Sequence, residues 1–452
     1  MSRTIKLRKG LDIKLHGEAE KVKATIEAST FAIKPPDFHG IVPKMTVKVG
    51  DKVKTGTVLF FDKYQEAVKY VSPVSGEITE ILRGEKRKIL EVRIKPDGEN
   101  TSEEFGIINP DSMDEAGMKK CLLDNGFWPF IKMRPIDVVA NPDDKPKAIF
   151  VSAFDSAPLA PDYDYALHGE GEAFQAGITA LTKLTAGKVH LTSRSNTSHD
   201  AALTGVKGVQ SNSILGKHTA GNVGTQIHHI DPVNKGEVVW TVNALDVATI
   251  GRSLLAGKFD SSRLVALTGS EVKKTKYIKT QIGASIADLV ADNIEGNNAR
   301  IISGNVLTGD KVTTDGYLGY YHSHISVIPE GNEPKFVATK GWLGPGIGKF
   351  SINRSYFSWL TPNKKRTLDT NLNGEIRSFV VTGEMERVFP FDIYPMQLIK
   401  STIYNDIDLM ENLGIYEVAP EDFALCEFVC TSKIDIQDKI RQGLDVIKKE
   451  CM

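Results

Sequence analysis

Cysteine is scarce in this chain. Four residues in 452, at 121, 426, 430 and 451, are too few and too unevenly spaced for a disulfide framework, which suits a reducing compartment. Long apolar runs are missing as well. Lys, Asp or Glu interrupts every window of about 18 residues, so no segment is built to cross a bilayer as a helix. The opening MSRTIKLRKGLDIKL carries a charge every few residues and lacks the apolar stretch of a signal peptide. An excess of charge of one sign is also absent: 56 Lys plus Arg face 57 Asp plus Glu. That balance leaves no overall basic field for nucleic acid or anionic lipid.

Complete cofactor and nucleophile motifs are lacking too. Gly169-Glu-Gly171 begins like a dinucleotide fingerprint, but Phe174 stands where the third glycine belongs, and its side chain keeps the backbone from a pyrophosphate. Gly344-Pro-Gly346-Ile-Gly348-Lys349 has Leu343 and Phe350 in place of the first glycine and the Mg-binding hydroxyl of a phosphate loop. Both read as turns. Val247-Ala-Thr249 and Val337-Ala-Thr339 lack the serine of a threonine-linked flavin signature, and there is no Gly-x-Ser-x-Gly elbow. His228-His229-Ile-Asp231 and His322-Ser-His324 have no supporting cysteine or H-E-x-x-H pattern. Cys426-Glu-Phe-Val-Cys430 is half an iron-sulfur or zinc site, not a whole one. These residues read as core or hydrogen-bonded groups, with no metal site and no catalytic residue assigned.

What is present describes an ordinary globular protein: 41% hydrophobic and 25% charged residues, long enough for three or four domains at roughly 150 residues each. From about 40 to 97, V47-K-V-G-D-K-V-K-T-G-T-V-L-F60 and S72-P-V-S-G-E-I-T-E-I81 alternate apolar and polar residues between glycine turns, the mark of short half-buried strands. The pairing resembles the barrel-sandwich hybrid of lipoyl and biotinyl carriers. Asp62-Lys63 invites comparison with their modified lysine. Its distance from Pro73 and the following Tyr64-Gln65 argue against modification.

Between 112 and 195, strand and helix alternate. Ala148 to Phe154 suits a buried parallel strand, Phe174, Ile178, Leu181 and Leu184 recur at helical spacing, and Lys188 to Thr192 is again strand-like. This is a βαβ unit. L264-V-A-L-T-G, K276-Y-I-K-T, I286-A-D-L-V and R300-I-I-S-G-N-V-L-T-G309 give strand, hairpin, strand, short helix and strand, which suits a β-grasp module. In the last ninety or so residues Ile436, Ile440, Leu444 and Ile447 form one apolar stripe, begun by a capping signal at Ser432 and Asp435.

The least ordinary segment is Gly126-Phe-Trp-Pro-Phe-Ile-Lys-Met-Arg-Pro135. Two readings stand: a hinge packed on the βαβ unit, or a flat surface where Phe127, Trp128, Phe130 and Arg134 meet a quinone ring or a partner subunit.

This segment, E172-A-F-Q-A-G-I with L184-T-A-G-K-V, H228-H-I-D-P before V239-W, G269-S-E-V-K-K with I282-G-A-S, T370-N-L-N-G-E-I-R-S-F-V-V-T-G383 and L425-C-E-F-V-C430 together resemble the A subunit of the Na+-translocating NADH:quinone reductase, essentially end to end. The resemblance implies a multidomain α/β chain: a barrel-sandwich hybrid over 1–110, a Rossmann-like α/β domain over 111–260, a β-grasp, SLBB-like region over 261–365 and a helical C-terminal domain over 366–452. It implies a peripheral subunit on the cytoplasmic face of the bacterial inner membrane. There the complex oxidises NADH, reduces ubiquinone or a related quinone and moves Na+ outward. Five other subunits are the expected partners, with flavins and iron centres on them and none here. The competing expectations are a soluble flavin- or nucleotide-binding oxidoreductase and a carrier modified on Lys63.

Overall fold

The computed structural model describes residues 3–332, 346, 348–352, 354 and 356–451. The stretch Val337–Thr339 lies outside the described residues, as do Gly344, Pro345 and Ile347 of the second glycine-rich stretch.

A seven-stranded sheet organises the chain, in the order Arg3–Lys6, Val209–Leu215, Lys188–Arg194, Ala148–Ser152, Val239–Asn243, Lys132–Arg134, Val138–Val139. The first five strands are parallel, and the last two add on antiparallel. Ala148–Ser152 is buried at every position because both faces are covered, as a parallel strand between helical layers must be. Ala148 and Phe150 pack with Ile227 of the helix Val223–Ile230. Ile149 and Val151 belong instead to the large core that contains Phe174 and Val247, from the helices Gly171–Thr182 and Ala244–Ala256. Those two helices touch backbone to backbone: a methyl group on Gly251 would overlap the Ala173 carbonyl, and one on Gly177 the Val247 carbonyl.

Two smaller sheets form the barrel-sandwich hybrid. One orders Phe31–Ile33, Ile89–Pro96, Gly76–Arg83 and Lys52–Val53; the other orders Pro43–Met45, Val58–Asp62 and Gln65–Val71. Lys63 and Tyr64 make the exposed tip of the hairpin between the last two strands.

The β-grasp region is a six-stranded sheet in the order Asp310–Val312, Ala299–Ser303, His324–Pro329, Ser262–Thr268, Lys276–Gln281 and Lys23–Thr25. The C-terminal helices run from Met385–Val388 to Ile436–Cys451. Ile436, Ile440, Leu444 and Ile447 are all buried, as their spacing requires. The start of this helix is not capped by Ser432, whose hydroxyl donates to the Ser378 carbonyl; the Gln437 N–H instead donates to the Glu427 carboxylate at 2.8 Å.

The first residues depart from the simple order of consecutive units. Arg3–Lys6 completes the edge of the seven-stranded sheet beside Val209–Leu215, and Lys23–Thr25 completes the edge of the six-stranded sheet beside Lys276–Gln281. The sequence places this segment with the barrel-sandwich hybrid, and the structure gives its strands to the other two sheets. Each is short, half polar and stabilised only by a partner far along the chain, so no local pattern announces it.

Candidate functional site: a cavity at the switch point of the parallel sheet

From Ala148–Ser152 the chain adds Lys188–Arg194 and Val209–Leu215 on one side, then returns to place Val239–Asn243 on the other. The connections therefore diverge at the carboxyl ends of Ser152 and Asn243. That divergence opens a crevice where open α/β sheets bind ligands. A cavity of about 420 Å³ lies there, lined by Ser152, Asp155, Asn243 and Asp246 from the sheet and its loops. The barrel-sandwich hybrid contributes Asp37, the β-grasp region Tyr320, Tyr321 and His322, and the C-terminal helices Glu421 and Gln437. Four structural units thus meet around one space.

The aromatic segment threads into this junction. Trp128 starts a tight turn, Trp128–Phe130, with Pro129 at its second position, and after Ile131 the strand Lys132–Arg134 begins. Phe127 and Trp128 are fully buried. Trp128 packs edge-on against Trp240, with ring centroids 5.3 Å apart, and its indole N–H donates to the Ala140 carbonyl at 2.7 Å. Phe127 stacks on Phe259 at 5.4 Å. The flat contact surface expected of Phe127, Trp128, Phe130 and Arg134 is therefore divided. Phe127 and Trp128 pack wholly into the core, whereas Phe130 and Arg134, though also buried, reach the cavity wall. Phe130 stacks on Tyr320 at 5.2 Å, and the Lys132 ammonium lies 4.4 Å from the centre of the Tyr321 ring.

Arg134 is 3% exposed and is held by three carboxylates: Glu421 at 2.7 Å, Asp422 at 3.3 Å and Asp137 at 3.5 Å. Burial disfavours its charge, yet the fields of Asp137, Asp422 and Glu421 hold the guanidinium above its ordinary value. Burial also works against the charge of Asp137, but Lys132, Arg134 and Arg441 hold that carboxyl down to about 2. Asp422 goes the other way. Burial pushes its carboxyl up to about 7, and the negative charge of Glu421 adds to the rise, against the pull of Arg134.

Elsewhere on the wall, burial raises the carboxyl of Asp37, which accepts from the Tyr320 N–H at 2.8 Å. Asp246 pairs with Arg263, whose Nη1 also donates to the Tyr320 carbonyl at 2.7 Å. Burial lowers His322 to about 3 and His218 to about 4, so both rings are neutral near pH 7. His322 Nδ1 lies 2.8 Å from Ser303 Oγ, and His218 Nδ1 lies 2.9 Å from Ser156 Oγ.

The other residues that stand out in the sequence have structural partners. His228 sits between the Glu417 carboxylate at 2.7 Å and the Asp392 N–H at 3.0 Å. His229 lies against the Thr225 carbonyl at 3.1 Å, and His324 is buried in its strand. Cys426 and Cys430 are buried free thiols. Among the described residues no group of three or more His, Cys, Asp and Glu side chains is arranged to hold a metal ion. Gly169-Glu-Gly171 lies at the start of the helix Gly171–Thr182, whose N-cap residue, Glu170, is engaged by Arg252 at 3.2 Å. Nothing along the chain marks Asp37, Asp155, Tyr320 or the pair Glu421-Asp422 as cavity residues, and Lys132 stands out only as part of the aromatic segment. For that pair the one local sign is Pro420 followed by two acids at a helical start.

Fold and site define a multidomain α/β protein with a barrel-sandwich hybrid, a parallel-sheet crevice and an SLBB-like region gathered around one charged cavity. Family models match in the same order: the NqrA N-terminal barrel-sandwich hybrid domain at 5–97, the NqrA second alpha/beta domain at 113–259 and the NQRA C-terminal domain, an SLBB model, at 264–314. Similar curated proteins are named as the A subunit of the Na(+)-translocating NADH-quinone reductase. That of a Marinomonas species is 37% identical over 98% of this chain and 99% of its own length. Those of Hahella chejuensis and Pseudomonas aeruginosa are each 36% identical, over 99% of this chain and all of theirs. The chain belongs to this family, the NqrA subunits of the Na(+)-translocating NADH-quinone reductase. Among solved structures, a chain of an NAD+-reducing nickel-iron hydrogenase aligns at TM-score 0.32 over 41% of both chains with 16% identity, too loosely to bear on function.

Proposed function

We propose that this chain serves as the peripheral NqrA subunit of a Na+-translocating NADH:quinone reductase. It is held on the cytoplasmic face of the bacterial inner membrane by five partner subunits, while the complex oxidises NADH, reduces ubiquinone or a related quinone and exports Na+. The observation that carries this reading is the end-to-end match to relatives of that name. Among the described residues no helix is long and apolar enough to cross a membrane, so attachment runs through protein contacts. Flavins and iron centres belong, on this reading, to the partners. Phe130, Lys132 and Arg134 are the residues of the aromatic segment on the cavity wall, and on this reading a quinone ring would meet the segment there.

The test is fractionation of gently broken host cells together with the spectrum and intact mass of the purified chain. The expected result is a chain that pellets with membranes, is released when its partners are deleted, and shows neither flavin absorbance nor added mass. Recovery wholly in the soluble fraction, or a stoichiometric prosthetic group on the chain, counts against it. The second reading, a flavin- or nucleotide-binding oxidoreductase, is favoured by the cavity at the switch point and requires bound flavin bleached by NADH.

A further inference from the structure

Charge is balanced over the whole chain but not everywhere along it. From Arg354 to Leu368 the sequence carries Arg354, Lys364, Lys365 and Arg366 and no acid. Within this stretch the tight turn Phe357–Leu360 directs apolar side chains to the outside: Phe357 is 57% exposed, Trp359 46% and Leu360 59%. Large apolar side chains grouped on a surface in this way mark a contact site.

The turn is fixed from its inner side. Ser358 is its buried residue, and its hydroxyl accepts from the Ser351 N–H at 3.2 Å. Arg366 is 5% exposed and donates to the Ser358 and Thr361 carbonyls, both at 3.2 Å. The backbone of Arg366 is itself tied down, its N–H donating to the Lys14 carbonyl and its carbonyl accepting from the His16 N–H. The buried guanidinium thus holds the loop while the three apolar side chains stay in solvent. Exposed cations flank them. The Arg354 guanidinium lies 5.1 Å from the centre of the Trp359 ring. Lys364 and Lys365 follow the turn, and the Lys14 ammonium reaches Asn363 Oδ1 at 2.8 Å. Among the described residues the acid that pairs with this group is Glu18, on Lys365 at 2.8 Å, so a local excess of positive charge is left facing outward.

We propose that Phe357, Trp359 and Leu360, flanked by Arg354, Lys364, Lys365 and Lys14, form a lipid-contact surface that rests on the anionic headgroups of a bilayer. Indole and phenyl rings settle at the boundary between headgroups and acyl chains, while Lys and Arg stems carry their charge to the phosphates beside them. An apolar turn with cations on both sides of it in sequence matches that layering. The contact is weak and reversible, because one short apolar turn and a few charges fall well short of an inserted helix. Partner subunits therefore still anchor the chain, and this surface sets which side of it faces the membrane. That orienting role rests on the reading of the chain as a peripheral subunit; the lipid contact itself does not.

The experiment is co-sedimentation of the purified full-length chain at low salt with vesicles of phosphatidylcholine alone and with vesicles of phosphatidylcholine and phosphatidylglycerol in equal parts. The expected result is partitioning onto the mixed vesicles about tenfold stronger than onto phosphatidylcholine alone, reversed by concentrated salt. K364Q/K365Q should lower it by about tenfold, and W359S/L360S should lower it with the charge unchanged. K448Q/K449Q removes the same charge from the exposed end of the last helix and should leave binding as it was. All of these side chains are exposed, so the variants keep the fold, which circular dichroism verifies. Absent or equal partitioning onto the two vesicles overturns the proposal. So does unchanged binding in either turn variant, or an equal loss in K448Q/K449Q, which would assign the effect to net charge. A chain that ignores vesicles while W359S/L360S detaches it from host membranes assigns the turn to a protein partner and also overturns the proposal. In that last case the peripheral-subunit reading stands, because its own test is pelleting that depends on the partners.

Discussion

Asp422 links burial to pH. Its folded pKa, about 7, lies above the ordinary 3.8, so the folded chain retains a proton that the unfolded chain gives up. The stability this confers is fully present below about pH 4 and is lost as pH rises through about 7. The groups facing it are Arg134, Glu421 and Asp137, with the Ala419 N–H and the start of the helix Val223–Ile230. Asp422→Asn should flatten this slope without lowering stability at pH 8, as read from urea denaturation at a series of pH values; an unchanged slope would assign the pH dependence to other groups. Trp128 makes a contrasting case. Its ring is wholly buried and its N–H is satisfied, so Trp128→Ala should cost about 3–5 kcal/mol through the cavity and the orphaned Ala140 carbonyl. Equilibrium unfolding checks this, and a cost under about 1 kcal/mol would mean the ring is not a core group.

At the scale of elements, helix contact decides more than helix propensity. Gly251 lets Ala244–Ala256 touch Gly171–Thr182. Alanine is the better helix former by nearly 1 kcal/mol, yet Gly251→Ala should lower the melting temperature, because the added carbon must displace the Ala173 backbone. Thermal unfolding by circular dichroism gives the answer, and a rise in Tm would show that the helices separate freely. Leu444→Ala, on the buried stripe of Ile436–Cys451, should cost about 2–5 kcal/mol, whereas an exposed neighbour such as Lys448 should tolerate alanine within about 0.5 kcal/mol.

These elements also mark how far the sequence can be read. The stripe at Ile436, Ile440, Leu444 and Ile447, the apolar run at Ala148 and the strand, hairpin and helix order after Leu264 all carry periodicities that local chemistry enforces. The family resemblance likewise rests on residues spread over the whole chain. The cavity is less legible. Phe130 and Arg134 stand out together with Phe127 and Trp128, but only the fold separates wall from core. Asp37, Lys132, Tyr320 and Glu421 meet because four units pack together, and no spacing along the chain encodes that meeting.

On the scale of the molecule, the sheets do not respect the linear order of the domains. The hydroxyl of Thr4 lies 2.9 Å from that of Ser213, 209 positions away, and Ile5 packs with Ile214, Phe154 and Ala220. Ile5→Asp should therefore destabilise the seven-stranded sheet, not the barrel-sandwich hybrid that follows it in sequence. Hydrogen exchange read strand by strand would show it: faster exchange in Val209–Leu215, with little change in Gly76–Arg83, is the expected outcome, and the reverse would place the segment with its sequence neighbours.

A ribosome making this chain releases its earliest strand long before that strand's neighbour exists. Arg3–Lys6 must wait for Val209–Leu215, and Lys23–Thr25 for Lys276–Gln281. Closing loops of that length costs chain entropy, so the two sheets gain these edges only after synthesis has passed Leu215 for one and Gln281 for the other. The leading segment thus acts like a drawstring, pulled tight part-way through synthesis.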